Sequence, residues 1–265
     1  MPPEWQLPAG VPRGTWQYAQ EEDIARQYDA YFADNRLFEF DQQVLARHFQ
    51  QPGLLVDLGC GTGRILVPFA RRGFPTLGVD LSLPMLRVVG QKARCQGLVI
   101  HRLCANLVDL GCLADAVADY AVCLFSTLGM IRGRANRRQA LHHICRILKP
   151  GGRFVVHVHN LWYSLLYSAG RRWLAGHLLA TLVRRDLERG DRFFDYLGIP
   201  NVFVHSFSER ELRRDLREAG LQIEDLIRLH ATRQRPLRAA WFFGAIRANG
   251  WIAVCRKPES PRGSG

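Results

Sequence analysis

The sequence predicts an α/β fold: a doubly wound, mostly parallel, seven-stranded sheet with helices on both faces and a helical insertion after strand five. Three observations predict it. Short apolar runs alternate with helical patterns between residues 51 and 160. The first apolar run ends in closely spaced glycines, and the second ends in an acid. Alternation of this kind argues for parallel strands joined by crossover helices.

Residues 1–19 are rich in Pro, Gly and Trp and read as an irregular arm, followed by helical patterns at 20–33 and 37–50. Strand one is the apolar run 54–58, and a helix over 63–72 closes at Gly73. Strand two is 75–80. A helix over 82–95 follows, with Ser82 at the N-cap. Strands three and four are 98–104 and 119–126. The helix 136–148 stops at Lys149-Pro-Gly-Gly152, and strand five is 153–159. The alternation then pauses over 161–200, which holds Trp162, Tyr163, Tyr167, Trp173, Phe193, Phe194 and Tyr196. That stretch exceeds an ordinary connection and reads as a helical insertion or lid. Ser208-Glu-Arg-Glu211 has the capping-box pattern and opens a helix that ends at Gly220. The last strands are 221–229 and 251–255, and 257–265 reads as a disordered tail. The chain thus divides into arm and helices (1–50), binding core (51–160), aromatic insertion (161–200), remainder of the sheet (201–256) and tail.

With 265 residues, 48% of them hydrophobic, the chain can bury one sizeable core. No run reaches the roughly 20 apolar residues of a membrane span. In the longest candidate, 161–183, Arg171, Arg172 and His177 interrupt. The N-terminus lacks the basic and apolar regions of a signal peptide. Seven cysteines without Cys-x-x-Cys spacing argue for reduced thiols and a cytoplasmic protein, not a disulfide framework or zinc site. The net charge of +12 suits a polyanionic partner, or is simply a solvated basic surface.

The most informative segment is Val56-Asp-Leu-Gly-Cys-Gly-Thr-Gly63, where a strand meets a helix. Glycines there permit a tight turn and let backbone approach a ligand. Asp80 ends the next strand, 21 residues after Gly59, where an acid accepts from ribose hydroxyls. A dinucleotide fingerprint would need a glycine at 64, which is Arg64. The pattern present is D-x-G-x-G-x-G, through Asp57, Gly59, Gly61 and Gly63.

Here the sequence resembles the class I S-adenosylmethionine-dependent methyltransferases. Asp57-Leu-Gly-Cys-Gly-Thr-Gly63 is similar to their first motif, and Gly78-Val-Asp-Leu-Ser82 to their second. Leu148-Lys-Pro-Gly-Gly-Arg-Phe-Val-Val156 resembles the turn into their fifth strand. Phe207-Ser-Glu-Arg-Glu-Leu212 through Ala219-Gly-Leu221 resembles the helix before their sixth. The resemblance spans about 50–256 and implies a Rossmann-like fold with S-adenosyl-L-methionine as cofactor. It implies that the glycine loop meets the cofactor's amino-acid tail and ribose, with Asp57 at the ammonium. The alternative for Asp57 is a carboxylate that satisfies the glycine-loop amides, and both roles can coexist. Asn106 stands where relatives often place an adenine-binding Asp, and its amide oxygen can accept the same hydrogen bond. Leu81, Met85 and Leu107 could sandwich the adenine; core packing explains Met85 and Leu107 as well. By family analogy Phe125 and Ser126 lie near the methyl group. Tyr28 resembles an N-terminal tyrosine that closes over the cofactor, or else packs in the core.

In-line methyl displacement needs alignment and desolvation more than a covalent intermediate. If the acceptor must lose a proton, His157, His159 and His205 are candidate bases, with structural roles as the alternative for each. His157 and His159 share one strand face, but no third ligand has recognisable spacing, so no metal is expected. Strand four ends Phe125-Ser-Thr-Leu128, without the Asn/Asp-Pro-Pro-aromatic signature of DNA amino-methyltransferases. The Pro-Cys nucleophile of cytosine-C5 enzymes is also missing, and Cys123 reads as a core thiol. A small-molecule acceptor beside the aromatic insertion is favoured. An RNA acceptor such as tRNA is the alternative. Residues 131–153 carry seven Arg or Lys and no acid, and 230–256 add five arginines. The helix and post-strand pattern also has a similarity, generic to the fold, to tRNA wobble-uridine methyltransferases. A third reading is a protein that binds the cofactor without catalysis.

Overall fold

The computed structural model describes residues 2–33 and 37–259. The seven-stranded sheet comprises β1 (Leu55–Leu58), β2 (Thr76–Asp80), β3 (His101–Cys104), β4 (Ala118–Cys123), β5 (Leu148–His159), β8 (Gln222–Arg228) and β9 (Gly250–Arg256). Its order is β3-β2-β1-β4-β5-β9-β8. The first five strands run parallel, and β9 is antiparallel to both β5 and β8. The order reverses between β1 and β4, which opens a crevice beyond their carboxyl ends.

Strand residues alternate between two buried faces, which is why these strands read as continuous apolar runs. Val56, Leu58, Ala121, Cys123, Phe154 and Val156 pack with Ala140, Leu141, Ile144, Leu212 and Leu216. Those partners lie on α6 (Arg134–Ile147) and α8 (Glu209–Glu218). Leu55, Val122, Val155, Ile252 and Val254 face the other way, against Phe40, Val44, Leu45 and Phe69. These belong to α3 (Leu37–His48) and α4 (Leu66–Arg71). Two local caps form as expected. Ser82 accepts from the Met85 amide at the start of α5 (Leu83–Cys95). Ser208 and Glu211 form the reciprocal capping box of α8.

The structure departs from the sequence reading at both added segments. The arm is not wholly irregular: α1 (Arg13–Gln20) precedes α2 (Glu22–Tyr31). The insertion is only half helical. After a 3-10 turn at Leu161–Leu166 and α7 (Ser168–Val183), it forms a hairpin of β6 (Asp191–Tyr196) and β7 (Ile199–His205). The hairpin is a separate two-stranded sheet, so the insertion runs past 200 and β7 does not belong to the main sheet. Its turn places both Leu197 and Gly198 at positive φ, as a two-residue type I′ connection requires. Leucine at the first position hid that signal. α1 lies on β7 through Gly14, where a Cβ would come within 2.3 Å of the Asn201 carbonyl oxygen. Of the tail, residues 260–265 lie outside the described residues.

Candidate active site

A cavity of about 420 Å³ sits in the crevice between β1 and β4. Its floor is the glycine turn and the ends of β1, β2 and β4; its roof is α1, α2 and the hairpin. Of the expected cofactor residues, Tyr28, Asp57, Gly59, Gly61, Asp80, Leu81, Met85, Asn106, Leu107, Phe125 and Ser126 all line it. Gly63 does not. Its φ of +80° shapes the turn, and a Cβ there would come within 3.1 Å of Val89 on α5. Gly63 thus admits close helix packing and leaves ligand contact to its neighbours.

The floor is set by backbone hydrogen bonds that converge on Asp80. One of its carboxylate oxygens accepts from the Gly61 amide and the other from the Ser82 amide, both at 2.8 Å. Burial pushes the Asp80 pKa up, and those amide bonds pull against it. Asp57 is different. It is buried, burial lifts its pKa to about 7, and nearby Arg64 only partly opposes this. No hydrogen bond from the described residues stabilises its charge, so the loop-amide role considered for it is not seen. At Gly61, with φ +51°, the space a Cβ would enter holds no atom within 4 Å.

These features fit S-adenosylmethionine. A buried carboxylate without a partner suits the cofactor's ammonium. Open space over Gly61 admits a ligand against bare backbone, and the remaining lone pairs of Asp80 can take ribose hydroxyls. Asn106 is more engaged than expected. Its oxygen accepts from the Val108 amide at 3.2 Å, and its amide nitrogen donates to the Ala9 carbonyl at 2.9 Å. It therefore also ties the arm to the core. On the other side, Thr62 donates to Asp29 of α2 at 2.6 Å, and Lys92 pairs with Asp29 at 2.5 Å. The roof is latched to the glycine turn.

At the end of β4, Phe125 and Ser126 hold φ of 55° and 65°. A left-handed backbone in two successive non-glycine residues is local strain. Phe125 meets Phe32 edge-on, with ring centroids 5.3 Å apart. Arg64 lies 3.8 Å over Phe38 and pairs with buried Asp41 at 3.5 Å. Burial raises the Asp41 pKa to about 6, against the pull of Arg64.

The three candidate histidines separate. His159 lines the cavity; burial and nearby Arg233 and Arg192 lower its pKa to about 4, so it is neutral near pH 7. His157 does not line the cavity. It is fully buried, both ring nitrogens lack partners among the described residues, and burial holds it neutral. His205 is structural. Its ring meets Asp191 at 2.7 Å and Glu211 at 3.0 Å, with Arg137 3.4 Å away. Burial opposes its charge, but the two carboxylates outweigh it and raise the pKa. This network fastens the hairpin to α6 and α8. Glu188, Asp191 and His205 place ligand atoms within 4.8 Å of one another, but Arg137 already pairs with Glu188 there.

Phe194 and Tyr196, named among the aromatics of the insertion beside the expected acceptor, line the cavity; Arg233, read only as part of a basic stretch, lines it too, and sequence reasoning missed Tyr18, Thr62, Arg64 and Phe203. Arg64 stood in plain sight as the residue that breaks the dinucleotide fingerprint. Tyr196 and Arg233 are brought in only by tertiary packing. The basic stretch 131–153 is also reinterpreted. Arg132, Arg134, Arg137, Arg138, Arg146, Lys149 and Arg153 each pair with an Asp or Glu from elsewhere in the chain. The acids missing from the local sequence are supplied in space.

Floor, roof and sheet order together define a class I methyltransferase fold. Residues 56–156 match the family model described as a methyltransferase domain. The chain is 31% identical to a demethylmenaquinone methyltransferase of Thermus thermophilus, an alignment covering 51% of this chain and 61% of that one. It is 32% identical to a ubiquinone biosynthesis O-methyltransferase of Caulobacter vibrioides, over 46% and 47% of the two chains. Among solved structures, a SAM-dependent methyltransferase of Methanosarcina mazei superposes with a TM-score of 0.66 at 19% identity. That superposition covers 82% of this chain and 98% of that one. The chain thus spans about half to three fifths of these curated relatives. Residues 56–156 thus carry a methyltransferase domain, within a chain that has the fold of the S-adenosylmethionine-dependent methyltransferases.

Proposed function

We propose that the protein transfers a methyl group from S-adenosylmethionine to a small-molecule acceptor. The observation that carries this reading is the roofed cavity, which the expected cofactor residues and several aromatic side chains line together. The relatives named for demethylmenaquinone and for ubiquinone biosynthesis support a small acceptor. When bound, the cofactor supplies a methyl carbon activated by a sulfonium. Asp57 holds the amino-acid end, Asp80 the ribose, and Leu81, Met85 and Leu107 the adenine, with Asn106 and Tyr28 at its margin. Phe125 and Ser126 shape the passage between the two halves. Phe32, Phe194 and Tyr196 keep water from the acceptor.

His159 is the one candidate base of the original three that reaches the cavity, and a pKa of about 4 makes it a weak one. The site therefore suits an acceptor that brings its own lone pair or negative charge. Of the two basic stretches that would favour RNA, 131–153 is paired with acids from elsewhere in the chain, which favours the small acceptor. The seven free cysteines fit a cytoplasmic setting, and no described helix is long and apolar enough to cross a membrane. Calorimetric titration with S-adenosylhomocysteine tests the reading: one site per chain is expected, and no binding overturns it.

A further inference from the structure

Arg233 is a cavity-lining cation distant in sequence from the glycine turn. It sits in the left-handed region, with φ +58°, at the tip of a tight loop. Its amide donates to the His230 carbonyl at 2.8 Å, and the His230 amide donates to the Arg235 carbonyl at 3.0 Å. Asn249 braces the same loop through the Ala231 carbonyl at 3.2 Å. The backbone is thus committed, against local preference, to aiming this side chain inward.

The guanidinium is half-buried and has no carboxylate partner among the described residues. Asp41, the acid whose field it feels most, is already paired with Arg64. A cation withdrawn from water without a partner is costly, and the cost is recovered if a ligand brings the counter-charge. Both guanidiniums act on His157 and Asp41, but only Arg64 acts on Asp57 at the amino-acid end and only Arg233 on His159. The two thus serve different parts of the cavity, and the counter-charge for Arg233 is assigned to the acceptor. Tyr196 and Tyr163 lie near enough to act on Arg233, and Phe32, Phe125 and Phe194 line the same cavity.

We propose that Arg233 recognises an anionic group on the acceptor, which is a flat, largely apolar organic acid held between these rings. This rests on the methyltransferase reading and names its substrate class. A planar guanidinium suits a carboxylate in a two-pronged pairing, and the rings supply the apolar contact.

The test uses two probes of one shape and different charge, 2-naphthoate and 2-naphthamide. Each is titrated into the full chain saturated with S-adenosylhomocysteine. The naphthoate should bind at least tenfold more tightly than the amide. Arg233→Met should abolish that preference and leave S-adenosylhomocysteine affinity within twofold. Arg233→Lys, which keeps the charge but not the fork, should retain part of it. Equal affinities in the natural protein overturn the proposal. So does a preference that survives Arg233→Met, or failure of both probes to bind a chain that holds S-adenosylhomocysteine. A chain that does not bind S-adenosylhomocysteine instead overturns the methyltransferase reading itself.

Discussion

Asp57 links cofactor binding to pH. Its carboxyl is buried and titrates at about 7 rather than 3.8. Binding an ammonium requires the ionised form. With that pKa, roughly one carboxyl in ten is ionised at pH 6 and nine in ten at pH 8, so affinity should rise about tenfold, or about 1.4 kcal/mol, over this range. The stability of the free protein moves the other way. A folded-state pKa raised above the unfolded value contributes stability that is present below about 3.8 and lost as pH rises through about 7. Its upper bound is about 4 kcal/mol for a shift of this size. Asp57→Asn keeps the shape and removes the charge. At pH 8 it should weaken S-adenosylhomocysteine binding by about 1.5–3 kcal/mol, the worth of a hydrogen bond to a charged group. At pH 6 the gap should shrink by about 1.4 kcal/mol, to about 0.1–1.6 kcal/mol. Calorimetry at pH 6, 7 and 8 on both proteins reads this directly. A flat profile in the natural protein, or an unchanged slope in Asp57→Asn, refutes the pairing of Asp57 with the ammonium.

Three further outcomes follow from the same geometry. Asp80→Ala should reduce S-adenosylhomocysteine affinity by more than tenfold, since it removes both the ribose acceptor and the brace on the Gly61 and Ser82 amides; unchanged affinity by calorimetry would remove Asp80 from the site. Gly61→Val should abolish binding in a chain that still folds, because its side chain enters open cavity and strains only one positive-φ position; circular dichroism checks the fold, and retained binding would contradict the cradle. His205→Gln should destabilise by about 3–5 kcal/mol, because Asp191 and Glu211 lose their shared cation. Since the His205 pKa is raised, its contribution is present below about 6.5 and lost as pH climbs through the folded value. Thermal melts at pH 6 and 9 should therefore show the variant's deficit shrinking at the higher pH, and a constant deficit would sink the charged-network account.

The parallel core was legible because each strand is buried on both faces and each turn announces itself through Gly, Pro or a capping residue. The cofactor floor was legible for the same reason. Asp57, Gly61 and Asp80 lie at strand ends whose spacing the chain fixes locally. The roof was legible only in part: Tyr28 and the aromatic insertion are expected near the site and line the cavity, but the hairpin is not foreseen. Nothing around Leu197-Gly198 signals a type I′ turn, so the sequence puts β6 in the helical insertion or lid and most of β7 in the remainder of the main sheet. Arg233 and Tyr196 reach the cavity through contacts distant in sequence. The histidines also looked equivalent in the sequence. Only packing separates His159 in the cavity from His157 behind it and His205 in an ion network. The basic stretch carried the same lesson for charge, since local composition cannot reveal a partner such as Asp215 across the fold.

The most direct test of the central claim is methyl transfer from radiolabelled S-adenosylmethionine into a cell extract, followed by separation into RNA, protein and small molecules. The account predicts label in the small-molecule fraction with the natural protein and none with Gly61→Val. Label in RNA or protein would contradict it, as would label that persists in the variant.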